Sequence, residues 1–149
     1  MAKITILGSG GWGMALAISA NSSGHEVTLW SPFEEEVECL KKNRGNERLL
    51  SGIKLPDGIG ITSDLSVAAG SAVTVIATPS TTIRSVAAKL SAQKDYGIVV
   101  NVAKGLEQGS LLRLSQVIKE EIPGVKVAVL SGPSHAEEVA RGELTTVVA

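Results

Sequence analysis

Residues Ile4-Thr5-Ile6-Leu7-Gly8-Ser9-Gly10-Gly11-Trp12-Gly13-Met14-Ala15-Leu16-Ala17-Ile18 decide the fold. An apolar run meets a glycine-rich turn, and a helix-forming run leaves it. Gly8, Gly10 and Gly13 match G-x-G-x-x-G in the strand–turn–helix setting that gives this pattern its meaning. Gly8 lets the chain turn off the strand, Gly10 leaves its backbone open to a pyrophosphate, and Gly13 lets the helix sit close to the strand. The first amides of the helix lack internal partners and lie at the positive end of its dipole, so they suit a phosphate bridge. Gly8, Ser9, Gly10, Gly11, Trp12 and Gly13 are therefore the expected cofactor cradle.

The rest of the chain alternates in the same way. Strands are predicted at His25–Trp30, Ala72–Ala77, Gly97–Val102 and Val125–Leu130, and a further one is expected to start at Leu144–Ala149. Helices are predicted to about Ser23 with Gly24 as the stop, from Glu34 onward, and on the stripe Ile83, Val86, Ala87, Leu90. Two more follow, on Leu111, Leu114, Val117, Ile118, Ile122 and from about His135 to Arg141. Asp64 caps a short helix ending at Gly70. Residues 43–60, rich in glycine and polar side chains, read as one long connection with a short helical turn at Glu47–Leu50. The expected fold is α/β, a doubly wound and mostly parallel sheet of Rossmann type.

In such a sheet the ligand crevice lies past the carboxyl ends of the strands. Five exits then matter: Gly8–Gly13, Ser31–Phe33, Thr78–Ser80, Ala103–Gly105 and Ser131–Ser134. The exit of the second strand, Trp30-Ser31, has no carboxylate to hold an adenosine ribose. It also has no lysine or arginine before Lys41 to hold a 2′-phosphate, and Glu34 to Glu36 would repel one. NAD and NADP therefore both stay open. Phe33 is a candidate for stacking on adenine, or it simply packs the next helix. Lys104 is a cation at a strand exit, suited to a phosphate or a polarised carbonyl, or else a plain surface lysine. Gly132 and Ser134 offer anion donors, with an ordinary turn and N-cap as the alternative. His25 reads as a solvated turn residue and Cys39 as a thiol without a chemical role.

Composition narrows the function. Aromatic residues are only 3% of 149, so the core must be aliphatic, and a net charge of −1 gives no basic field for nucleic acid. No apolar run reaches the roughly 20 residues of a membrane span. The short first apolar run does not form a signal peptide, and a single cysteine allows no internal disulfide, so the cytoplasm is the expected compartment. No metal-ligand spacing stands out.

Three separated segments carry a family resemblance. They are Gly8-Ser9-Gly10-Gly11-Trp12-Gly13 with Ala15-Leu16-Ala17, Ala103-Lys104-Gly105-Leu106-Glu107, and Ser131-Gly132-Pro133-Ser134 with Ala136-Glu137-Glu138-Val139-Ala140 and Gly142. With Gly24-His25-Glu26-Val27 and Leu29-Trp30 they resemble the N-terminal domain of bacterial-type NAD(P)-dependent glycerol-3-phosphate dehydrogenase. The resemblance implies interconversion of sn-glycerol 3-phosphate and dihydroxyacetone phosphate, with NAD or NADP, as a source of glycerol phosphate for membrane lipids. It implies cofactor contacts at Gly11, Trp12, Lys104, Ala136 and the position of Pro32, and substrate contacts at Lys104, Gly132 and Ser134. Pro32 departs from the family's usual basic or polar side chain, His135 from its aromatic and Leu144 from its proline. The resemblance also implies a second, helical domain with the general-base lysine, which this chain lacks, and it leaves room for a homodimer. Two other readings stay open: a reductase of the ketopantoate or 3-hydroxyacid type, and a nucleotide-sensing module without chemistry.

Overall fold

The computed structural model describes residues 1–149. Six strands, β1 (Lys3–Leu7), β2 (Glu26–Trp30), β3 (Ile59–Thr62), β4 (Val73–Ile76), β5 (Ile98–Asn101) and β6 (Val127–Val129), form one sheet in the order β3-β2-β1-β4-β5-β6. Every pairing is parallel. Five helices cover the faces: α1 (Gly11–Ser22), α2 (Glu34–Asn43), α3 (Ile83–Ser91), α4 (Leu114–Glu121) and α5 (Ala136–Ala140). The order reverses between β1 and β4, and this switch point opens a crevice at the carboxyl ends of the strands.

Each face has its own apolar core. Ile6, Met14, Ala15, Val27, Leu29, Val37 and Leu40 pack on the side of α1 and α2. Leu7, Ile76, Ile83, Val86, Leu90, Val99, Val117 and Ile118 pack on the side of α3 and α4. The central strands alternate between these two groups, so both their faces are apolar and their sequence is a continuous hydrophobic run. The predicted α3 stripe is buried at all four positions, Ile83, Val86, Ala87 and Leu90.

Three expectations are corrected. Residues 43–60 do not run as one connection, because β3 begins at Ile59 and pairs with β2. Its sequence, Ile59-Gly60-Ile61-Thr62, is four residues long with a glycine inside and another just before. Glycine weakens a strand signal, so the stretch reads locally as loop. What fixes it is distant. Arg44, in a left-handed conformation at the end of α2 (φ 51°), donates to the carbonyls of Pro56 and, at 3.1 Å, Ile59. Leu111 does not join α4; it sits before the helix at φ 58° and is 72% exposed. Residues Leu144–Ala149 do not begin a strand of the sheet; they make one antiparallel bridge, Val148 to Ser131.

Candidate functional site

The crevice is a cleft of about 760 Å³, and all five strand exits contribute to its wall. Of the residues expected to act, Gly8, Ser9, Gly10, Gly11, Trp12, Pro32, Phe33, Lys104, Ser134 and Ala136 line it. Gly13 lies just beneath, inside the first turn of α1. Gly132 lies outside the wall and is joined to it by Lys104, whose Nζ donates to the Gly132 carbonyl at 3.3 Å. The two segments, 28 residues apart in sequence, thus meet at one edge of the cleft.

The three motif glycines do different jobs. Gly8 has φ 124°, and a Cβ there would stand 2.7 Å from the backbone of Ala77, so β1 ends hard against the end of β4. A Cβ on Gly13 would stand 1.9 Å from the Gly8 carbonyl oxygen, an impossible overlap. Gly10 is the exception: its φ is −65°, and a Cβ there would meet nothing within 4 Å. The fold requires Gly8 and Gly13, whereas the open space over Gly10 faces the cleft. Neither backbone nor side chain of the protein accepts from the N–H groups of Gly11, Trp12 or Gly13, and no side chain caps α1. A bare cradle with three free amides at the positive end of a 12-residue helix fits a pyrophosphate.

Around this cradle the other exits differ in character. Phe33 is 67% exposed at the lip and belongs to neither apolar core. Trp30 is buried beneath, its Nε1 donating to the Ser63 carbonyl at 2.9 Å. Ser134 does not cap α5, whose N-cap is His135, and its hydroxyl makes no hydrogen bond within the protein. His25 stands at the far, amino end of β2, where its Nδ1 accepts from the Ala2 amide at 3.3 Å, away from the cleft. Cys39 is an exposed free thiol on α2.

Two features escape a reading of the sequence. Glu36, on the first turn of α2, folds back to line the cleft and accepts a hydrogen bond from the Ser31 hydroxyl. The second is the anchor of the Lys104 loop. Arg84 on α3 holds Glu107 through two bonds, Nε to Oε1 at 2.7 Å and Nη2 to Oε2 at 2.8 Å. The same guanidinium reaches Glu120 at 2.8 Å and Glu121 at 2.6 Å on α4. The Arg84 bonds, with Ser110 adding one, hold the Glu107 carboxyl down at about 2, and the three carboxylates, Glu107 first, raise the Arg84 guanidinium in turn. Residues 104–107 therefore leave β5 tied to two helices. Neither pairing has a local signal, because the partners lie 23 and more residues apart.

Comparison with known proteins agrees with this geometry. The family described as "NAD-dependent glycerol-3-phosphate dehydrogenase N-terminus" matches residues 3–149. A glycerol-3-phosphate dehydrogenase [NAD(P)+] of Fusobacterium nucleatum is 49% identical over 99% of this chain and 45% of its own length. One from Desulfitobacterium hafniense is 46% identical, over 99% of this chain and 42% of its own length. The crystal structure of glycerol-3-phosphate dehydrogenase from Coxiella burnetii superposes with a TM-score of 0.90 at 32% identity, over 98% of this chain and 45% of that one. The chain thus spans less than half the length of the relatives it matches.

Proposed function

The chain belongs to the NAD-dependent glycerol-3-phosphate dehydrogenase N-terminus family, and on that premise we propose that residues 1–149 form the nucleotide-binding part of an oxidoreductase. Its reaction interconverts dihydroxyacetone phosphate and sn-glycerol 3-phosphate, in the cytoplasm, and provides glycerol phosphate for membrane lipids. The observation that carries this reading is Gly10, a glycine that the fold does not demand, set beside three uncommitted amides. The nicotinamide nucleotide supplies or accepts the hydride. The residues of this chain bind and orient: Gly11, Trp12 and Gly13 offer amides to the pyrophosphate, Gly8 and Ser9 shape the turn, and Pro32, Phe33 and Ala136 border the nucleotide. Lys104 stands where cofactor and substrate edges meet, and its ammonium suits the substrate's phosphate or its carbonyl oxygen. Gly132 and Ser134 complete the substrate edge, Ser134 with a hydroxyl still free to donate.

The general base belongs, on this reading, to the part of the relatives' length that has no counterpart in residues 1–149. The expected behaviour is nucleotide binding without turnover. Calorimetric titration with NADH and NADPH tests the first half, and nicotinamide absorbance with dihydroxyacetone phosphate present tests the second. No heat with either nucleotide overturns the assignment; steady oxidation of NADH at an enzyme's ordinary rate overturns the division of labour.

A further inference from the structure

At the exit of β2 the donors of residues 31–33 can be traced one by one. The Ser31 amide donates to the Thr62 carbonyl at 3.1 Å. The Phe33 amide points at the Ser31 hydroxyl oxygen at 3.4 Å, and Pro32 has no N–H to give. The Ser31 hydroxyl itself donates to Glu36 Oε2. Every donor of residues 31–33 is therefore engaged by the protein. Among the side-chain acceptors, Glu36 Oε1 has no partner, and Glu36 forms no ion pair. The side chain is half-buried and forms part of the cleft wall.

The charge around this corner is one-sided. The first-turn amides of α2 lie nearby, but Glu34, Glu35 and Glu36 all stand in that turn and offset the positive end of the helix dipole. The cleft's two cations, Lys89 on α3 and Lys104 at the exit of β5, belong to other walls.

We infer that Glu36 sets the nucleotide preference: its free carboxylate oxygen accepts a hydroxyl of the adenosine ribose, and its charge excludes a phosphate there, so the domain takes NAD(H) over NADP(H). The inference rests on the nucleotide reading of the cleft and deepens it. An ionised carboxylate is a strong acceptor for a hydroxyl donor. A phosphate monoester brings close to two negative charges; residues 31–33 have no free donor or cation to meet them, and the free amides of Glu34, Glu35 and Glu36 are offset by the carboxylates of the same turn. Glu36 does by folding back what a residue at the strand's end does in a common NAD site, which explains why Trp30-Ser31 alone leaves the choice undecided.

Calorimetric titration of the full chain with NADH and with NADPH is the test. NADH is expected to bind tighter by about tenfold or more. Glu36→Gln keeps an oxygen acceptor and removes the charge, so the two affinities should converge to within about threefold, chiefly by tighter NADPH binding. Glu36→Arg should reverse the order. Equal affinities in the parent protein, or a gap unchanged by Glu36→Gln, overturn the inference while leaving the nucleotide site intact. A preference for NADPH that disappears in Lys89→Ala overturns it too, and assigns the phosphate to Lys89. Failure of both nucleotides to bind overturns the reading of the cleft and this inference with it.

Discussion

Gly8, Gly10 and Gly13 are equivalent in a motif and unequal in space. Gly13→Ala would drive a methyl group into the Gly8 carbonyl oxygen, 1.9 Å away, with the Ala77 methyl 3.5 Å off and nothing flexible to yield. Its expected cost is about 3 kcal/mol or more, seen as a lower urea midpoint. A Cβ at Gly10 meets nothing within 4 Å, so Gly10→Val should lower that midpoint far less. It fills the cradle, however, and should weaken nucleotide binding by about a hundredfold or more in calorimetry. A variant that unfolds at Gly10 or tolerates Gly13→Ala contradicts the division of roles. Lys104 belongs at the same scale. In an enzyme that joins this domain to the rest of the relatives' length, Lys104→Ala should slow turnover by orders of magnitude and leave cofactor affinity largely intact. If kcat is unmoved, Lys104 is a surface lysine and the sensing module regains ground.

Among the elements, the Lys104 loop owes its place to Arg84. The Glu107 carboxyl, 18% exposed at its side chain, sits at about 2 when folded against about 4.5 ordinarily. A carboxyl whose folded pKa is depressed contributes stability above its unfolded value, and that contribution disappears as the pH falls from about 4.5 to about 2. Urea midpoints measured across that window should therefore fall steeply. Glu107→Gln should start lower at neutral pH and fall less steeply, and parallel curves for the two proteins would exclude Glu107 as a source of the acid sensitivity. The elements divide sharply in how legible they are. Helix α3 announces itself through Ile83, Val86, Ala87 and Leu90, because burial of one face imposes its own period. Strand β3 does not, since Gly60 dilutes it and Arg44, 15 residues away, supplies the contacts that hold Ile59. Glu36 is hidden for a related reason: only the backward fold of its side chain onto Ser31 brings a carboxylate to the end of β2. Local pattern reports burial well and reports pairing between distant side chains poorly.

Taken whole, the molecule is a sheet whose two faces are filled by separate apolar groups and whose ligand edge is gathered from five exits. The exits were readable because a parallel sheet sends all its functional loops to one end. The tail at 144–149 was not, since its β-branched run Thr145-Thr146-Val147-Val148 suits a strand yet finds a partner only at Ser131. The strand order has one more consequence, and it concerns birth rather than function. The central strand is also the first to be synthesised, and its second neighbour does not exist until Ile76 has been added. At about 5 to 20 residues per second, β1 waits roughly 4 to 14 s with one hydrogen-bonding edge bare. Ribosome-stalled chains should accordingly be cut readily by protease while they stop short of β4, and gain resistance in a step once β4 has cleared the exit tunnel. The glycine turn at residues 8–13 would then be finished only when its neighbour arrives, since it is the end of β4 that Gly8 abuts.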